Sequence, residues 1–125
     1  MYSRKYILRK VLGAYGELRA KRYLKKQGIY HLTSNFRTNN GEVDFIGFFE
    51  KNLVIAEVKL RTTDTISGYQ AVGKRKKQTM LKVAEQYCTQ MNYFPKRIRL
   101  DIVSIYLNRK FPFKHEIVWL QDVDQ

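Results

Sequence analysis

The chain has one cysteine, Cys88, which excludes an intrachain disulfide and a multi-cysteine zinc site and points to a reducing compartment. Long apolar runs are missing too. No stretch approaches the roughly 18 apolar residues of a membrane span, and no uninterrupted apolar segment follows the basic start Arg4, Lys5, Arg9 and Lys10 to make a signal peptide. A soluble, cytoplasmic protein without a membrane partner is expected. Repeats, linkers and low-complexity segments are likewise absent, and 125 residues suit one domain, 1–125, with a single site.

Acidic residues are scarce. Eleven Asp and Glu stand against 24 Lys and Arg, so the net charge is 24 − 11 = +13. Such an excess attracts polyanions, nucleic acid above all, and no amphipathic lipid anchor argues for a membrane surface instead. Basicity for solubility alone is the bland alternative. Apolar residues at 44% and aromatic residues at 14% suffice for a folded core, in which Cys88 is expected as a buried thiol.

Helical spacing of apolar residues predicts a first helix from Ser3 to Gln27, with Gly28 at its C-terminal cap. An irregular strand follows from Ile29 to Phe36, then a turn at Thr38-Asn39-Asn40-Gly41. Val43–Phe49 and Leu53–Leu60 form an antiparallel hairpin around Glu50-Lys51-Asn52, and Arg61 to Gly68 read as a loop. Met80, Leu81, Ala84, Tyr87, Cys88 and Met91 mark a second helix from Lys74 to Asn92. Ile98–Leu107 and Glu116–Leu120 close the chain as strands around Asn108-Arg109-Lys110. The order αβββαββ describes an α/β fold of the α+β kind, a mixed sheet flanked by helices.

In the strand Leu53–Leu60, alternation puts Leu53, Ile55, Glu57 and Lys59 on one face and Val54, Ala56, Val58 and Leu60 on the other. Asp44, Ile46 and Phe48 share a face of the partner strand. If the hairpin loop is even, Glu50 pairs with Leu53, Ile46 lies opposite Glu57, and Asp44 lies opposite Lys59, diagonal to Glu57. An odd loop separates them. Two carboxylates so placed can bind Mg²⁺, or Mn²⁺, through hard oxygens, and Lys59 can orient or deprotonate a water activated by the metal. The plainer alternative is a solvated Glu57–Lys59 ion pair with Asp44 in a turn.

The segments Asn35-Phe36-Arg37-Thr38, Gly41-Glu42-Val43-Asp44-Phe45-Ile46 and Ile55-Ala56-Glu57-Val58-Lys59-Leu60-Arg61 resemble the signature of the YraN family, whose uncharacterised members are regarded as endonucleases. Gly16-Glu17, Tyr23 to Gly28, Arg75 to Gln78 and Arg99 to Val103 extend the resemblance over most of the chain. That family is similar to the Holliday-junction resolvases and has the restriction-endonuclease-like fold. The resemblance implies a PD-(D/E)XK site in which Asp44 is the PD aspartate and Glu57 and Lys59 are the (D/E)XK pair. Val43 before Asp44, in place of Pro, is usual for this family. Leu60 stands where a Thr is common, and Gly73 replaces a helix-starting Pro.

Glu17, near Gly13, Ala20 and Leu24 at the border between a small apolar stripe and the basic residues Lys10 and Lys21, is a candidate further ligand, as the resemblance also implies. An i,i+4 ion pair with Lys21 is the alternative. Lys74, Arg75, Lys76 and Lys77 occupy a helix start that disfavours cations unless a phosphate joins them, so with Gln78, Arg37 and Arg61 they are candidate nucleic-acid contacts. A merely solvated basic turn or a nuclear-localisation run would read the same. Glu42 is expected to pair with Arg37 or Arg61, and Asp101 is either a buried structural group or an outer neighbour of the site. His31 and His115 lack ligand spacing. The sequence thus predicts a metal-dependent endonuclease acting on DNA, with branched DNA a candidate substrate and a homodimer suited to symmetric cutting. The alternatives are a nucleic-acid-binding protein that keeps the fold without cutting, and an accessory subunit.

Overall fold

The computed structural model describes residues 4–62, 73–107 and 115–123. Helix α1 spans Arg4–Lys26, followed by strands β1 (Tyr30–Thr38), β2 (Gly41–Phe49) and β3 (Asn52–Thr62), helix α2 (Lys74–Met91), and strands β4 (Ile98–Leu107) and β5 (His115–Leu120). The predicted element order holds throughout. Of the predicted loops, residues 63–68 and the turn at Asn108-Arg109-Lys110 lie outside the described residues. Arg61 and Thr62 are strand rather than loop, since β3 remains paired with β4 to Thr62↔Leu107.

Helix α1 ends as its sequence requires. Gly28 takes φ +112°, its N–H donates to the Lys25 carbonyl, and the Ile29 N–H reaches back to the Leu24 carbonyl. This double closure satisfies carbonyls that the helix leaves open, and the buried pair Leu24 and Ile29 seals it. At the end of α2, left-handed Asn92 plays the role of Gly28, with the Tyr93 N–H donating to the Cys88 carbonyl.

The five strands form one sheet in the order β1-β2-β3-β4-β5, antiparallel except for the parallel pair β3–β4. That parallel pair needs a crossover, and α2 lies within it. The central strands are covered on both faces, which explains the near-continuous apolar run from Leu53 to Val58. On one face Ile46, Leu53, Ile55, Leu100 and Ile102 pack under Met80, Val83, Ala84 and Tyr87 of α2. On the other, Phe45, Val54, Ala56, Val103 and Ile105 pack under Ala20 and Leu24 of α1. Cys88 is buried in the α2 layer, where burial raises its thiol pKa, so it is the core thiol expected. Among the described residues no helix is long and apolar enough to cross a membrane.

Gly41 is where α2 comes down onto the sheet. Its φ is +147°, and a Cβ there would lie 2.7 Å from Thr79 Cγ2. Gly41→Ala is expected to lower stability by about 1–3 kcal/mol through overpacking and a strained backbone, measured by urea denaturation. Thr79→Ser would recover part of that loss by removing the opposing methyl. The close contact also sets the height of the first turn of α2, and hence of Lys76, above β3.

Candidate functional site

The hairpin β2–β3 pairs Phe49 with Asn52, so its turn is the two residues Glu50-Lys51, an even loop. The register nevertheless differs by two residues from the sequence expectation. Ile46 stands opposite Ile55 rather than Glu57, and extending the ladder brings Asp44 level with Glu57 rather than Lys59. The two-residue turn falls one position earlier than the expected Lys51-Asn52, because Asn52 already belongs to β3.

The ladder between β2 and β3 stops at Phe45↔Ala56, while β1–β2 pairing runs on to Thr38↔Gly41 and β3–β4 pairing to Thr62↔Leu107. Strand β2 therefore leaves β3 at Asp44. The Val58 N–H, past the last pair of that ladder, donates to Asp44 Oδ2 at 2.8 Å, so the carboxylate stands in for the departing strand's carbonyl. Face alternation also breaks there. Val43 packs in the α2 layer but Phe45 in the α1 layer, although two residues apart on a strand should share a face. Across the ladder from Asp44 is Asn35, held at φ +53°, a left-handed backbone that Asn tolerates better than most residues.

This break lets Asp44 act on both sides of the sheet. On the α2 side, burial raises the Glu57 pKa and the nearby Asp44 charge raises it further, while Lys76 and then Lys59 oppose the shift. Lys59 Nζ lies 3.8 Å from Glu57 Oε1, and Lys76 Nζ lies 3.9 Å from Oε2. Glu57 is 14% exposed, so it is largely shielded from water between two amines. On the α1 side, Glu17 is raised first by burial and then by Asp44, partly offset by a hydrogen bond with Asn35. Gly16 makes this approach workable, because a Cβ there would already sit 3.2 Å from Leu60 Cδ1. Glu17, Asn35, Ser34, Lys21 and Phe45 line a cavity of about 200 Å³ together with Ala14 and Leu18.

The structure thus brings Asp44, Glu57, Lys59 and Lys76 together, with Glu17 coupled to Asp44 from the opposite layer. Among the described residues no cluster of three or more His, Cys, Asp or Glu side chains suited to a metal ion is formed. The donors that could hold a hard divalent cation are the Asp44 and Glu57 carboxylates, near enough that one raises the other's pKa. Magnesium is commonly bound through one or two carboxylates and retains waters, so this pair fits it chemically.

The other predicted residues are dispersed. Arg37 is tied to Glu42 at 2.7 Å on the surface, and that bond raises its pKa. Arg61 lies in β3 beside Tyr106 of β4. Lys74, Arg75 and Gln78 are exposed on the first turns of α2, whose opening turn contains no acid and whose N-cap Gly73 makes no side-chain cap. Asp101 is fully buried and structural: it holds Arg99, the Trp119 indole and the Asp122 N–H. One contributor had no assigned role in the sequence, and another, Lys76, was expected on nucleic acid rather than beside Glu57. Asn35 was visible only as part of the Asn35–Thr38 motif, and the approach of Lys76 to Glu57 depends on the packing of α2.

The family model for the uncharacterised protein family UPF0102 matches residues 16–105, a span that opens beside Glu17 and includes Asp44, Glu57 and Lys59. The chain belongs to this family. It is the YraN family that the sequence motifs resemble. A UPF0102 protein of Caldanaerobacter subterraneus subsp. tengcongensis is 35% identical over 105 residues, covering 83% of this chain and 86% of that one. One of Clostridium acetobutylicum is 36% identical over 104 residues, covering 82% and 85% respectively. Another, from Fusobacterium nucleatum subsp. nucleatum, is 35% identical over 101 residues, 80% of this chain and 84% of the relative.

Proposed function

We propose that this UPF0102 protein is a metal-dependent endonuclease that hydrolyses DNA phosphodiester bonds at the point where β2 and β3 part. The observation that carries this reading is the shielded Glu57, raised in pKa by burial and then by Asp44, and faced by Lys59 and Lys76 at 3.8 and 3.9 Å. Like charges held together at the expense of stability are characteristic of sites built for chemistry. Mg²⁺ or Mn²⁺ held by Asp44 and Glu57 would supply an activated water and offset charge on the phosphate.

The chain's own groups account for the rest. Lys59, on the same strand face as Glu57, positions the attacking water and offsets charge on the phosphate. The Val58 N–H fixes the Asp44 carboxylate through Oδ2. Asn35 holds Glu17 on the far side of Asp44, where Glu17 assists as an outer acid. Lys74, Arg75, Lys76 and Lys77, with the amides of the α2 start, Gln78, Arg37 and Arg61, grip neighbouring phosphates. Water's oxygen bonds to phosphorus as an ester P–O bond breaks, leaving a phosphate monoester and a free hydroxyl.

A second reading, binding without cutting, draws support from the two lysines that already face Glu57 and from the missing three-acid cluster among the described residues. Single-stranded, duplex, flap and four-way DNA incubated with Mg²⁺ or Mn²⁺ separate the two. Cleavage of at least one substrate by the wild type, lost in Lys59→Ala, is expected. Binding to the panel with no cleavage at any metal concentration would favour the second reading.

A further inference from the structure

At the opposite end of the sheet lies a surface that the carboxylate site does not use. There the end of β2, the starts of β1, β3 and β4, and the end of α2 meet. Phe48 is at its centre: the Tyr30 ring stacks on it at 5.7 Å between centroids, and the Tyr93 ring meets it edge-on at 5.2 Å. Tyr30 and Tyr93 remain 48% and 44% exposed, and Phe94, next along the chain, is 77% exposed. A groove of about 230 Å³ runs beside Phe94, floored by Cys88, Pro95 and Ile98.

Leaving a phenylalanine so bare forgoes burial that would stabilise the fold, and its place next to half-exposed Tyr93 makes it part of an apolar patch rather than a lone exposed ring. Charge selects the nature of an occupant. Lys96, two residues after Phe94, and Lys51 are exposed, and the Tyr30 hydroxyl donates to the Glu50 carbonyl, which ties the turn carrying Lys51 to Tyr30. Asp122 is bridged by Arg97 at 2.6 Å, and the acids that remain are Glu50 in the turn and Glu85 in the groove lining, against the excess of positive charge over the whole chain. A second copy of a +13 chain would be repelled electrostatically, whereas a polyanion with flat apolar faces matches both features.

We propose that Tyr30, Tyr93 and Phe94 form a stacking platform for unpaired bases of a single-stranded nucleic acid, with Lys51 and Lys96 on its phosphates. Base–aromatic stacking beside cations needs no sequence readout. Asp44 is four residues from Phe48 along β2, about 13 Å at the usual rise, so the platform is separate from the carboxylates and its binding does not depend on catalysis.

The test is fluorescence anisotropy in EDTA, without divalent metal, using labelled oligo-dT and a duplex of equal length. Phe94→Ala and Tyr93→Leu are each expected to weaken oligo-dT binding by about five- to 100-fold while duplex binding changes by less than about twofold. Phe94→Trp should keep the affinity, and its emission should be quenched by oligo-dT. Equal losses on both ligands, or no loss on oligo-dT, would overturn the proposal. So would sedimentation revealing a dimer that Phe94→Ala dissociates, which would assign the surface to a second copy. The outcome is independent of whether the protein cuts DNA.

Discussion

Asp101→Ala is expected to destabilise the fold by about 3–5 kcal/mol, the loss typical of removing one partner of a buried ion pair. Asp101 is fully buried in β4, and Arg99, two residues earlier, is almost as deep. Both oxygens are engaged: Oδ1 accepts from Arg99 Nε at 3.0 Å and the Asp122 N–H at 2.9 Å, while Oδ2 accepts from Arg99 Nη2 at 2.8 Å and Trp119 Nε1 at 2.7 Å. The guanidinium is also covered by the rings of Phe49 at 5.0 Å and Trp119 at 5.7 Å. Truncation therefore strands a buried cation and also removes the acceptor of the partly buried Trp119 indole N–H. Asp101→Asn keeps the shape and some acceptors, so it should lose less. Urea denaturation of the two variants checks the order, and equal losses would mean that shape rather than charge dominates. On the proposed function, DNA binding per folded molecule should be unchanged, because Asp101, although paired with Ala56 beside Glu57, lies on the opposite face of the sheet.

Residues with strong periodicity gave up their structure readily. The spacing of Met80, Ala84, Tyr87 and Cys88 located α2, and Gly28 marked the end of α1 because a left-handed closure favours glycine. Glu57 and Lys59 shared a face by simple alternation. What alternation could not reveal is where it fails. Asn35 adopts a left-handed backbone, Asp44 turns out of the pleat opposite it, and flanking apolar residues swap layers, yet the local sequence still reads as ordinary strand. The two-residue error in hairpin register arose in a polar turn whose three candidate residues carry no glycine to mark the tight pair. Lys76 could be read as a phosphate contact from its basic neighbours, but its distance to Glu57 is set by Thr79 seated on Gly41. Asp101 remained ambiguous for a related reason: its partners Trp119 and Asp122 lie about 20 positions away in the chain.

Glu57→Gln is expected to lower cleavage by at least about a thousandfold, equivalent to about 4 kcal/mol of lost transition-state stabilisation, while making the metal-free protein more stable. The two effects share one cause. Burial and the Asp44 charge both disfavour ionised Glu57, and together they outweigh Lys76 and Lys59. Because its folded pKa is raised, the stability contributed by this group is fully present below its ordinary value of 4.5 and is lost as pH rises through the folded value. At neutral pH the ionised carboxylate is therefore a liability that Gln lacks. In EDTA, melting curves of wild type should fall more steeply than those of Glu57→Gln as pH rises from 4.5 toward neutrality. On the proposed metal site, adding Mg²⁺ is expected to reverse the ranking: at a concentration of about a hundredfold Kd the wild type should gain about 2.7 kcal/mol, whereas the Gln variant should gain little. A Glu57→Gln protein that melts below wild type in EDTA would mean that the lysine contacts, rather than the strain of the carboxylate pair, dominate this site.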